Sequence, residues 1–162
     1  MRFEEIVEQV GDVIVEETLR SYEERRERGM IFVEENGRLR LAYGRSWYGM
    51  PGWVLLPIPQ GQRPRSVVAV HTHIGSPSFS LQDFMNFAYS RTLDWLCVST
   101  IKKGKVLLRG ARVKTLAPRV LPVVIAYLES KLYEKGIPTG PRVEIREAII
   151  GEVKLKYRGG QT

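Results

Sequence analysis

The sequence predicts an α/β protein of the α+β kind, a single domain over residues 1–162 with a mixed, mostly antiparallel sheet flanked by helices. Three observations carry this. The chain has 162 residues, one domain's length and enough to bury a core. Its periodicities follow the order α, β, β, β, β, α, β, β, α, β, β, so strands outnumber helices. Hairpins outnumber crossover units, which argues against an all-parallel sheet. The length also excludes a (β/α)₈ barrel, which takes about 250 residues.

Each element has its own local reason. Phe3, Ile6, Val7, Val10, Val13 and Ile14 recur at helical spacing and predict an amphipathic helix from 3 to about 25, with Gly29 as its stop. MIFVEE and RLRLAYG flank Asn36-Gly37, a hairpin signal because both turn positions need positive φ. RSWYGMPG (45–52) reads as a loop and WVLLPIP (53–59) as a strand limited by its prolines. SVVAVHTHI (66–74) is a buried strand that runs into polar chemistry. Ser80 then occupies an N-cap position before LQDFMNFAYSR, with Asp83 in the first turn. LDWLCVSTI and KVLLRGARV predict a second hairpin around Lys102–Gly104. Pro118 or Pro122 opens a helix that runs to Lys135 and stops at Gly136. VEIREAII and EVKLKY, split near Gly151, read as a last strand pair.

Composition narrows the function classes. Hydrophobic residues make up 43% and charged residues 27%, ordinary for a globular protein. The absence of an apolar run of about 18 residues predicts no membrane span. An acidic, amphipathic start and a lone cysteine, Cys97, point to a cytoplasmic protein without disulfides. Cys97 sits in an apolar run and reads as an inert core thiol. The net charge of +7 is uneven, −6 over residues 1–35 and +13 over 36–162. Seven bases and no acid lie between Lys102 and Arg119. Such a run can bind nucleic acid, but nothing aromatic interleaves it. The favoured reading is a solvated strand-turn-strand whose lysines guard a sheet edge. Trp47, Tyr48 and Trp53 read as a packed corner, or as anchors for an extended peptide.

The chemistry concentrates in His71-Thr72-His73, with Ser80 and Asp83 beyond a short turn. These are the chain's two histidines. Residues i and i+2 of a strand share a face, so both imidazoles can reach one point. With the Asp83 carboxylate they make a three-ligand zinc site whose fourth position stays open for water.

H-T-H, six residues and then Ser80-Leu81-Gln82-Asp83 resemble the signature of the JAMM (MPN-plus) metalloproteases. Glu27-Arg28-Gly29-Met30-Ile31-Phe32-Val33 is similar to that family's glutamate at the junction of first helix and first strand. Glu23, Glu24 and Glu34 are alternative matches to that glutamate. The resemblance covers about residues 3–110, and residues 111–162 carry none. It implies a JAMM/MPN, cytidine-deaminase-like architecture and Zn2+ held by His71, His73 and Asp83. It further implies Glu27 as general base then acid, and Ser80 as donor to the oxyanion. The same Ser80 hydroxyl is a natural N-cap, and one proton is not expected to serve both roles fully. The implied activity is a peptidase or isopeptidase on a protein or peptide substrate, such as a ubiquitin-like conjugate. Two other readings stand beside it: a non-catalytic MPN-like scaffold with a metal site, and a nucleic-acid-associated relative.

Overall fold

A computed structural model describes residues 1–42, 47–48, 58–59, 61–116, 118–138 and 140–153, with 47–48 as backbone alone. Helix α1 spans Phe3–Glu24 and is followed by strands β1 (Arg28–Glu35), β2 (Arg38–Leu41) and β3 (Trp47–Tyr48). Then come β4 (Val67–Thr72), α2 (Leu81–Tyr89), β5 (Leu93–Lys102), β6 (Lys105–Val113), α3 (Val120–Glu134) and β7 (Val143–Glu152). The strands form one sheet in the order β2-β1-β4-β5-β6-β7, and β3 pairs with the first two residues of β1. The β4–β5 pair is parallel, and every other described pair is antiparallel. The expected mixed, mostly antiparallel sheet with flanking helices is therefore present.

Each face of the sheet has its own core. Phe3, Ile6, Val10 and Ile14 of α1 pack on Met30, Phe32, Val68, Val70, Trp95, Cys97 and Leu108. On the other face, Phe84 and Phe87 of α2 and Val123 and Ala126 of α3 cover Ile31, Val33, Ala69, Leu96 and Val98. Alternation along β1 and β4 thus sends successive side chains to different helices. Cys97 is fully buried and its thiol is pushed up by burial, so it is the inert core residue expected.

Both hairpins form on two-residue turns with left-handed backbone, Asn36-Gly37 and Lys103-Gly104. Gly136 closes α3 in the left-handed region. Its N–H donates to the Tyr133 carbonyl and the Ile137 N–H to that of Leu132, the paired bonds of a glycine-terminated helix.

Several boundaries differ from the sequence reading. α1 ends at the expected place, but its stop is Arg25, itself left-handed (φ 54°), and Gly29 lies inside β1. The expected split near Gly151 is absent, because β7 runs through Gly151 alongside β6 to Glu152, with one register shift opposite Val106 and Leu107. Residues 154–157 of the expected EVKLKY strand lie outside the described residues, as do 53–57 of the expected WVLLPIP strand. Trp47 and Tyr48 belong to a strand rather than a loop, while their side chains and all of Trp53 are outside the described residues. The basic run is a strand-turn-strand, but it guards no edge, since β6 is covered by β7. Arg109 pairs with Glu147, and Arg112 with Asp94, which withdraws two of its seven cations into the fold.

The seating of α1 is testable at Gly110 of β6. A Cβ there would lie 2.7 Å from the Phe3 ring and 3.2 Å from the Cys97 sulfur. Gly110→Ala is expected to lower the unfolding free energy by about 1–3 kcal/mol in urea titrations, as overpacking does. Wild-type stability in this variant would mean that Phe3 does not rest on this part of the sheet.

Candidate metal centre

The site lies at the carboxyl end of β4, where that strand meets the N-terminus of α2. His71 is the fifth residue of β4 and is 1% exposed. By alternation it shares the face of Val67 and Ala69, beneath α2. Its antiparallel partner on β1 is Gly29, which adds no side chain beside the imidazole. His73 follows just past the strand, and its N–H still continues the parallel ladder by donating to the Ser99 carbonyl at 2.8 Å. The two rings stand edge to face with centroids 4.4 Å apart.

The six residues from Ile74 to Phe79 return the chain to α2, and the surrounding elements hold them at several points. Gly75 adopts φ 106°, and its N–H donates to the Tyr22 hydroxyl of α1. Arg109 donates to the Pro77 carbonyl, Lys131 to that of Phe79, and Ser78 to the Glu134 carboxylate. A reciprocal cap then opens α2. The Ser80 Oγ accepts the Asp83 N–H at 3.0 Å, and the Ser80 N–H donates to Asp83 Oδ2 at 2.8 Å. With Oδ2 so engaged, Oδ1 is turned to within 3.3 Å of His71 Nε2.

His71, His73 and Asp83 each present one ligand atom, and these atoms all lie within 4.8 Å of one another. Among the described residues neither ring nitrogen of His71 has a hydrogen-bond partner, although both are buried. Buried polar atoms normally have partners. A cation between the three groups would satisfy the one that faces Asp83. His73 carries the usual outer support of a metal ligand, with Nδ1 placed 3.2 Å from the Ser76 carbonyl. Donation there leaves Nε2 as the free ligand atom.

The electrostatics suit a cation. Burial, helped by the neighbouring His71, pushes the His73 imidazole down to about 4, so the ring is neutral at pH 7. Burial pushes the Asp83 carboxyl up, but the adjacent His71 and the Ser80 N–H outweigh it and hold the group at about 2. A neutral His73 imidazole and an ionised Asp83 carboxylate are the states in which these two residues bind a metal.

Glu27, named from its place before the first strand, comes to the same site. It directly precedes β1 and has the parity of Gly29, the residue opposite His71. Its carboxyl is half-buried and raised above its ordinary value, mainly by burial and further by the Asp83 charge, with His71 opposing. The alternatives do not share this setting. Glu23 is exposed, Glu24 pairs with Arg28, and Glu34 pairs with Arg63 near the far end of β1.

Ser80 is where the sequence reading needs correction. The cap uses a lone pair of its oxygen, not its proton. One hydroxyl can therefore cap α2 and still donate outward, and Ser80 is exposed. The sequence reading passed over Thr72, between the histidines, and Ser21 of α1. Ser21 continues the stripe Phe3, Ile6, Val10, Ile14, Thr18 at spacings of three and four, the signal that would have found it.

In the metal-free chain the shift of His73 sets a pH dependence. The unfolded ring takes a proton near its ordinary value of 6.5, and the folded ring near 4. Between these values the unfolded state binds more protons, so stability is complete above about pH 6.5 and declines as pH falls toward 4. The expected loss is up to about 3 kcal/mol, read by urea titration of chelator-treated protein at pH 7 and pH 4.5. His73→Asn is expected to shrink that difference, and an unchanged difference would assign the titration to another group. No protein-family model, curated protein or solved structure matches the chain, so what it does is argued from this geometry.

Proposed function

We propose that the chain is a zinc-dependent peptidase or isopeptidase of the JAMM/MPN type, acting in the cytoplasm on an amide bond, such as that joining a ubiquitin-like modifier to an amine. The observation that carries this is His71, buried with neither ring nitrogen hydrogen-bonded among the described residues and 3.3 Å from a carboxylate that its own helix cap has oriented. Two imidazoles and a carboxylate are a common catalytic zinc set, with one position left open. Zinc bound there supplies an acidic water and a centre that polarises the scissile carbonyl.

The chain's own residues do the rest. His71, His73 and Asp83 hold the ion. Glu27 takes the proton of the attacking water and carries it to the leaving nitrogen, and its raised affinity for protons suits both halves of that transfer. Ser80, fixed by the α2 cap with its proton uncommitted, donates to the oxygen that gains charge as the carbonyl becomes tetrahedral. The order of helix, hairpin, His-x-His strand and helix, with Glu27 at the first junction, supports the family reading.

Purified chain is expected to hold about one zinc, measured by metal analysis. His71→Ala/His73→Ala should abolish binding, and Asp83→Asn should weaken it sharply. Retention of stoichiometric zinc by the double variant would remove the site. Glu27→Gln should keep zinc and fold while losing about 10²–10⁴-fold in hydrolysis of a ubiquitin-like conjugate or linear fusion. A zinc-loaded wild type that cleaves no such substrate would favour the scaffold reading.

A further inference from the structure

The middle residue of the His71-Thr72-His73 segment points away from the metal centre. Thr72 has the opposite parity to His71 and faces α1, where its side chain is fully buried. Its Oγ1 accepts the Arg28 N–H at 2.8 Å and lies 2.7 Å from the Ser21 Oγ. The Ser21 Oγ in turn donates to the Arg26 carbonyl at 2.5 Å.

Proton accounting sets the direction of this chain. Each hydroxyl has one proton. The Arg26 carbonyl at 2.5 Å takes the Ser21 proton, and the Thr72 proton goes to Ser21 at 2.7 Å in preference to its other acceptor, the Arg28 carbonyl at 3.4 Å. The order is then Arg28 N–H to Thr72, Thr72 O–H to Ser21, and Ser21 O–H to the Arg26 carbonyl. The chain starts and ends on the two residues that flank Glu27, and no member has a spare proton. Backbone on both sides of Glu27 is thereby tied to the strand that carries His71.

We infer that the Thr72 hydroxyl is a positioning residue, which sets the Glu27 carboxylate against the metal centre by holding the backbone of residues 26–28. This rests on the reading of Glu27 as the proton carrier. A strand that holds a ligand on one face and the base's backbone on the other fixes their separation. Displacement of a reacting group by about 1 Å can cost about 100-fold in rate.

The test compares Thr72→Val, which keeps the shape and removes the hydroxyl, with Thr72→Ser, which keeps the hydroxyl, in the full zinc-loaded chain. Amide hydrogen exchange at Arg28 is expected to quicken at least about 10-fold in Thr72→Val and to stay near wild type in Thr72→Ser. Zinc affinity, read by competition with a chromophoric chelator, should stay within about 3-fold of wild type in both, because the ligands face the other way. On a conjugate that wild type cleaves, Thr72→Val should lose about 10- to 100-fold in kcat with KM unchanged, and Thr72→Ser should recover most of it. Unchanged Arg28 exchange in Thr72→Val, zinc loss parallel to the activity loss, or a serine variant as impaired as the valine variant would each overturn the proposal. Full activity in Glu27→Gln would instead remove the base role, and the exchange result would still decide the tether.

Discussion

At the carboxyl end of β4, successive side chains must leave the sheet on opposite faces, and both faces are already covered by helix. His71 goes to the α2 side and Thr72 to the α1 side. Neither can meet water, so each needs an internal partner. Thr72 finds Ser21 and the backbone of Arg28, whereas the His71 ring nitrogens find no hydrogen bond among the described residues. The same burial that closes one side leaves His71, His73 and Asp83 gathered on the other. The candidate metal site is built around that difference.

The parallel β4–β5 pair makes this end available. The chain needs a crossover between parallel strands, and α2 is that crossover. A helix that starts where β4 ends brings its N-terminus over the strand tip, with its orphan N–H groups and its preference for a carboxylate. Asp83 satisfies that preference with one oxygen and offers the other to His71. A capping interaction worth about 1 kcal/mol to the helix thus also aims a ligand.

Polar contacts on the α1 side set the remaining geometry. Thr18, Ser21 and Tyr22 meet Ser99, Thr72 and Thr100 in three hydroxyl pairs of 2.6–2.7 Å. Apolar side chains in a core tolerate sliding, because dispersion contacts have little directionality, whereas hydrogen bonds fix both distance and angle. The last turns of α1 are therefore registered on the tips of β4 and β5, and Glu27 emerges from that register half-buried beside the metal centre.

The sequence by itself determined the local pieces. The stripe of α1, the Asn36-Gly37 and Lys103-Gly104 turns, the Gly136 stop and the His71/His73/Asp83 set all follow from spacing and backbone preference, which depend on near neighbours. The resemblance pointed to Glu27, but charge pattern alone could not separate it from Glu23, Glu24 and Glu34. Tertiary structure separated them by place: Glu27 has the parity of Gly29, the partner of His71, and its carboxyl feels the Asp83 charge, while Glu24 and Glu34 pair with Arg28 and Arg63. It likewise decided that α1 ends at Arg25 and that β7 covers β6 and runs through Gly151. It also decided that the Ser80 oxygen, not its proton, makes the cap and that Thr72 brackets Glu27. Each of these depends on which groups meet across distant parts of the chain, and burial and hydrogen-bond accounting settle that only once the sheet is assembled.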